Sequence, residues 1–206
     1  MTHSDDAQGG EGPERGPRVI VLAGPNGAGK STSARTVLAE RLGLTTFDNA
    51  DVIAQGLAGF DPASAALEAS RIMLERLRAL AERRADFAFE TTLAARSYAP
   101  WLTELRAGGY TVDLVYFWLA SAGLAVARVA ERVRTGGHDV PEATVQQRYM
   151  RSVRNFFTLY RPAVDRWQFF DNSGPGGLQL IAHGDNSGQE VVLNEMVWGQ
   201  VKEQAQ

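Results

Sequence analysis

The stretch that decides the fold is VIVLAGPNGAGKSTSARTVL, residues 19–38. A short, β-branched apolar run ends in glycine, a glycine-rich turn follows, and Lys30, Ser31 and Thr32 open a pattern with helical spacing. Gly24-Pro25-Asn26-Gly27-Ala28-Gly29-Lys30-Ser31 fits G-x-x-x-x-G-K-[ST] without a mismatch. The chemistry explains the residue types. Glycines let the backbone curl so that several N–H groups converge on phosphate oxygens. The helix that follows points its positive end at the same place. Lys30 is then expected to reach the β- and γ-phosphates, and the Ser31 hydroxyl to ligate Mg²⁺. A glycine loop that only turns a strand into a helix would not need that Lys-Ser-Thr sequence. Residues 24–32 are therefore the candidate ATP site.

Outward from the loop, strands alternate with helices. RVIVLAG (18–24) reads as a buried strand, and KSTSARTVLAERLG as a helix stopped by Gly43. A second strand breaks at DNAD, and a helix follows Asp61-Pro62. DFAFETTL is a third strand, ending in Glu90, and AARSYAPWLTELRAGG is helical. YTVDLVYFWLA is the longest β-rich run and reads as a central strand. A helix to the Gly136-Gly137 pair, a second over 138–167, the strand QFFDNSG, two strands joined by a Gly/Asn turn and a last helix complete the chain. This order predicts an α/β fold, a P-loop kinase-like three-layer sandwich. Its sheet is mostly parallel with helices on both faces, and an antiparallel hairpin is added at the C-terminal end.

The 206 residues suit one domain over 18–206, preceded by a polar, acidic and glycine-rich tail at 1–17 that reads as disordered. No window reaches the length of a membrane span and the tail has no apolar core, so a cytoplasmic location is expected. The absence of Cys excludes disulfides and thiolate metal sites. A net charge of −3, with no basic stripe interleaved with aromatics, argues against nucleic acid as partner. Of 21 basic residues only Lys30 and Lys202 are lysines, which sets Lys30 apart.

A phosphate loop alone does not say what becomes of the phosphate. Motor-type ATPases need a second apolar strand ending in Asp, but YTVDLVYFWLA ends in Ala and Ser, and the acid-ended strand is FAFE at Glu90. Leu-Ser-Gly-Gly-Gln and Asn-Lys-x-Asp are both absent. Elimination favours a small-molecule kinase, which needs a group to accept the acceptor's proton and cations to follow the moving phosphoryl. Asp48 and Asp51 stand just past the second strand, the edge where ligands bind in open α/β sheets. Asp51 also fits a helix N-terminus, and the two roles are compatible. Arg128, Arg132, Arg134, Arg148 and Arg151 surround the glycine pair. Arg128 and Arg132 read as a solvated face, while Arg134 has the place of a lid arginine in a lid over 128–151. His138, beside the hinge, reads as a loop-shaping residue.

These pieces together resemble the zeta-toxin family of P-loop kinases, in particular its compact zeta-like members. The residues that carry the resemblance are AGPNGAGKST, DNADVI, FETTL, GYTVDLVYFWL, RVAERVRTGGHDVPEATVQQRYMRS and FFDNSG, spread over residues 18–174. The family phosphorylates a sugar hydroxyl of UDP-N-acetylglucosamine with ATP. The resemblance implies Asp51 as the acceptor-activating residue that also helps hold Mg²⁺. It implies Arg134 and Arg148 as γ-phosphate clamps, and Glu90, Thr91 and Thr92 on the acceptor side. Larger members often have Arg two residues past that Thr. Here the position is Ala94, and Arg96 follows as the acceptor-side arginine. A small helical antitoxin is the partner the family implies. Another acceptor, such as an antibiotic hydroxyl or a nucleic-acid end, and a nucleotide-gated binding module without transfer are the alternatives.

Overall fold

β1, Arg18–Ala23, is buried from Val19 onward, because it runs through the middle of a seven-stranded sheet. The structure is a computed structural model that describes residues 15–34, 46–58, 64–137 and 139–206. After the phosphate loop comes α1, Lys30–Ala34; the expected stop at Gly43 lies outside the described residues. β2 (Phe47–Asp48), α2 (Ala50–Leu57), α3 (Ala66–Glu82), β3 (Phe87–Thr91), α4 (Tyr98–Ala107) and β4 (Thr111–Trp118) follow in order. Then come α5 (Ala122–Arg134), α6 (Glu142–Asn155), β5 (Arg166–Asp171), β6 (Gln179–Asp185), β7 (Glu190–Val192) and α7 (Glu195–Gln204). The Asp61-Pro62 pair and His138 lie outside the described residues.

The strand order is β2-β3-β1-β4-β5-β6-β7. β2 through β5 are parallel, and β6 and β7 run antiparallel at one edge, which is the sandwich with an appended hairpin that the alternation predicts. In a parallel sheet the strand ends that carry ligand loops lie on one edge. The loops after β1, β2, β3 and β4 therefore share that edge. Among the described residues, no helix is long and apolar enough to cross a membrane.

Helices cover the sheet through aromatic contacts. Tyr98 and Trp101 of α4 pack on Phe89 of β3, and the Tyr116 hydroxyl of β4 meets Ser152 Oγ of α6 at 2.7 Å. Trp198 of α7 stacks on Trp167 of β5, with centroids 5.7 Å apart and planes 10° apart, and meets Phe156 and Phe169 edge-on. Gln204 then fastens α7 to the end of β4: its Oε1 accepts from Trp118 Nε1 at 3.1 Å, and its Nε2 donates to Ala120 O at 3.0 Å.

Two expectations change. The single helix expected over 138–167 is α6, then a π-helical turn at Phe156–Tyr160, then a 3₁₀ turn at Arg161–Ala163. Pro162 has no N–H to continue a helix, and it ends the run. The tail expected over 1–17 lies outside the described residues as far as 14. At 15–17 the chain is tied down instead, because it runs directly into a central strand. Arg15 pairs with Asp86 at 2.6 Å, and Thr111 N donates to Pro17 O at 2.9 Å.

Candidate functional site

The loop from Gly24 to Gly29 leaves β1 under tight constraint. Gly24 has φ +138°, and a Cβ there would lie 2.1 Å from the Phe117 carbonyl oxygen of β4. Only glycine lets the turn pass that close to the neighbouring strand. Gly27, at φ +76°, faces α5, where a Cβ would stand 3.0 Å from both Ala125 O and Arg128 Cβ. Asn172, just after β5, props the loop from behind with Nδ2 donating to Ala28 O at 2.9 Å. Arg128 reaches across to Ser173 O at 3.3 Å, so it belongs to the wall of the loop and not to a solvated face.

Lys30 is 6% exposed. Its ammonium donates to Pro25 O at 3.0 Å and stands 3.5 Å from Glu90 Oε1. The other carboxylate oxygen, Oε2, accepts from Ser31 Oγ at 2.6 Å. The reason is register: β3 lies directly beside β1, with Glu90 opposite Leu22, so the end of β3 meets the start of α1. Glu90 is thus turned toward the phosphate loop, whereas its motif had suggested the acceptor side.

Asn49 completes the cluster, and its importance escaped the sequence reading. Its Nδ2 donates to Glu90 Oε2 at 2.8 Å and to Ser31 Oγ at 3.3 Å, while its Oδ1 caps α2 by accepting from Asp51 N at 2.8 Å. An Asn two residues before a helical Asp is an N-cap signal. Nothing in that signal discloses the two contacts across the fold. Asp51 sits exposed in the first turn of α2, where the helix dipole favours its charge. Asp48, the other acid of the motif, is buried and paired with Arg76 of α3 at 2.7 Å, which makes it structural.

The remaining candidates lie around this cluster. Thr91 and Thr92 are half-buried at the end of β3, and their Oγ1 atoms accept from Leu93 N at 3.2 Å and Ala94 N at 3.4 Å. Arg96 is exposed. Arg134 is 75% exposed and pairs with Glu131 one turn back, and Arg148 lies half-buried on α6. The structure therefore joins Lys30, Ser31, Glu90 and Asn49 directly and hangs Asp51 from that unit by one hydrogen bond. Among the described residues, neither Arg134 nor Arg148 bonds to it.

A magnesium ion fits this donor set. Ser31 Oγ and one carboxylate lie together, and Mg²⁺ commonly takes one or two protein oxygens and completes its shell with phosphate and water.

Comparison with known proteins gives the fold and the family. A Haemophilus influenzae protein, itself uncharacterized, is 27% identical over 132 residues, covering 64% of this chain and 92% of its own. Crystal structures of the AvrRxo1-ORF1:AvrRxo1-ORF2 complex share the fold. The one with sulphate ions matches with TM-score 0.74 at 18% identity, and the one with ATP with TM-score 0.75 at 16% identity. These matches cover 90% and 91% of this chain, which spans only 63% and 64% of the matched chains. The structure from the PezAT chromosomal toxin–antitoxin system of Streptococcus pneumoniae matches with TM-score 0.59 at 14% identity, over 96% of this chain and 88% of that one. The family model described as an AAA domain matches residues 19–154, from β1 through nearly all of α6, and the chain belongs to that P-loop family.

Proposed function

We propose that the protein is an ATP- and Mg²⁺-dependent kinase that transfers the γ-phosphoryl group to a hydroxyl of a small molecule, with UDP-N-acetylglucosamine or another UDP-sugar as the acceptor. The carrying observation is the Ser31–Glu90–Asn49 chain of hydrogen bonds, which joins the phosphate loop to the start of α2, where Asn49 Oδ1 accepts from the backbone N–H of Asp51. On this reading the backbone N–H groups of residues 24–32 hold the phosphates of ATP. Lys30 exchanges Glu90 and Pro25 O for phosphate oxygens. Ser31 and Glu90 would hold Mg²⁺, which would neutralise charge on the phosphates. The acceptor oxygen attacks the γ-phosphorus in line, its proton passes to the Asp51 carboxylate, and the bond to the β-phosphate oxygen breaks to release ADP. Arg134 closes on the moving phosphoryl as the end of α5 moves at the glycine pair, and Arg148 meets it from α6. Thr91, Thr92 and Arg96 bind the acceptor.

The resemblance to the zeta-toxin family and the shared fold with a toxin–antitoxin structure support this reading. They also name a small antitoxin as the protein partner to look for. The test is a transfer assay with ATP, Mg²⁺ and a panel of UDP-sugars, antibiotic alcohols and a 5′-hydroxyl oligonucleotide. Asp51→Asn should lower transfer by about 10²–10⁴-fold, the usual worth of a general base, and leave ATP affinity within about twofold of wild type. Transfer retained in Asp51→Asn removes that residue from the base role. ATP binding without transfer to any acceptor makes the protein a nucleotide-gated binding module.

A further inference from the structure

Leu93, two residues past β3, is fully buried and has φ +55°. A branched, bulky side chain holds that left-handed backbone only where its surroundings over-determine it. The surroundings here are two polar side chains from one stretch of chain. Asn155 Nδ2 donates to Leu93 O at 2.7 Å and to Ala94 O at 3.3 Å, and the Tyr160 hydroxyl donates to Ala95 O at 2.5 Å. Three successive carbonyls are therefore gripped from outside the loop, while the loop's own N–H groups at 93 and 94 are taken by Thr91 and Thr92. Burial pushes the Tyr160 phenol above its ordinary pKa, so it remains a donor. Both threonine oxygens already serve as acceptors, which leaves each with its O–H proton to give.

The π-helical turn explains how one segment reaches three carbonyls in a row. In an α-helix, residues 155 and 160 would point about 140° apart. A π-turn closes its hydrogen bonds from i to i+5, which brings residues five apart toward the same side. The turn at Phe156–Tyr160 thus directs Asn155 and Tyr160 at a single loop. Arg148 precedes Asn155 by seven residues, two turns of α6, so the two lie along one line of the helix.

We propose that Asn155 and Tyr160 are positioning residues of the acceptor site: they hold the 91–95 loop in the conformation that presents the Thr91 and Thr92 hydroxyls, and α6 fixes the spacing from that loop to Arg148. This rests on the kinase reading and extends it to residues that touch neither nucleotide nor acceptor. The class of ligand served is a polar, hydroxyl-rich acceptor able to take two hydroxyl donors.

The experiment uses the full chain and three variants: Tyr160→Phe, which keeps the buried ring, Asn155→Asp, which keeps the size but replaces the donor, and Asn155→Ala. Each is first shown to melt cooperatively. Transfer to UDP-N-acetylglucosamine is then measured along with ATP affinity and amide hydrogen exchange. The acceptor KM should rise about threefold for Tyr160→Phe and about tenfold for the Asn155 variants, as expected for one and two lost hydrogen bonds. The ATP KM should stay unchanged, and exchange should speed up in peptides covering 91–96 but not in those covering 24–32. Unchanged acceptor KM and unchanged exchange in Asn155→Asp and Tyr160→Phe overturn the positioning role while leaving the kinase reading intact. Wild-type protein that phosphorylates neither UDP-N-acetylglucosamine nor any other panel acceptor takes down the kinase reading, and this inference with it.

Discussion

Replacing Glu90 with Gln asks whether the phosphate loop and the start of α2 are one electrostatic unit. A single carboxylate takes the Ser31 hydroxyl at 2.6 Å, the Asn49 amide at 2.8 Å and the Lys30 ammonium at 3.5 Å. Glutamine keeps the shape but offers one acceptor oxygen, so in either orientation its NH₂ confronts a donor. At 3.5 Å the Lys30–Glu90 attraction is about 5 kcal/mol for an effective dielectric near 20. Part of that only offsets desolvation, since the two side chains are 6% and 11% exposed, and Pro25 O still holds Lys30 in the variant. The net loss should be about 2–3 kcal/mol, short of the 3–5 typical for stripping a buried ion pair of one partner. Urea unfolding of protein without added nucleotide should show it as a lower midpoint at unchanged slope. ATP supplies new anionic oxygens to Lys30, so saturating ATP should stabilise the variant at least as much as wild type. Transfer should nevertheless fall at least about 10–100-fold, the cost of losing even an outer-shell partner of a metal. Stability within about 0.5 kcal/mol of wild type, the range of an ordinary surface substitution, would refute the electrostatic unit. Undiminished transfer would refute the part assigned to Glu90 in holding the metal.

Gly24→Ala should cost about 3 kcal/mol or more, because its Cβ would meet the Phe117 carbonyl at 2.1 Å and both groups are backbone. A melt within about 2 °C of wild type together with normal ATP titration would show that the strand pair yields more easily than the geometry allows. All five tyrosines, Tyr98, Tyr110, Tyr116, Tyr149 and Tyr160, have phenols raised above the ordinary value of 10.0, burial being the first cause in each. Above pH 10 the unfolded chain loses these protons before the folded one, so stability should be complete below that pH and decline as pH rises further. Tyr116, Tyr149 and Tyr160 should then ionise only together with loss of near-ultraviolet circular dichroism. Ionisation of all five phenols in folded protein near pH 10 contradicts the burial.

The phosphate loop was legible because everything that defines it is local: glycines at fixed spacing, one lysine, a strand before and a helix after. The sheet class was legible from the alternation of strands and helices. Its strand order was not, and that order decides which loop meets which. β3 lies beside β1, and this turns Glu90 toward Ser31, a contact 59 residues long in sequence. Asn49 was readable as a cap, but its bonds to Ser31 and Glu90 span 18 and 41 residues, and no periodicity encodes them. The motif offered both Asp48 and Asp51; only packing separates a buried partner of Arg76 from an exposed carboxylate. Arg128 looked like a surface residue by helical spacing, since the glycine it crosses lies a hundred positions earlier. The π-turn leaves no repeat in the sequence, so a continuous helix was the natural reading of 142–160.

The core around Trp198 has a consequence for how the chain is made. The rings of Phe156, Trp167, Phe169 and Trp198 come from α7, β5 and the turn after α6, and Gln204 binds the end of β4. A nascent chain carries its complete phosphate loop long before α7 leaves the ribosome. Until then one face of β5 lacks its cover and the end of β4 lacks Gln204, so apolar surface remains open to chaperones and to aggregation. Completion of the core, and with it a settled base for α6, waits on the synthesis of α7.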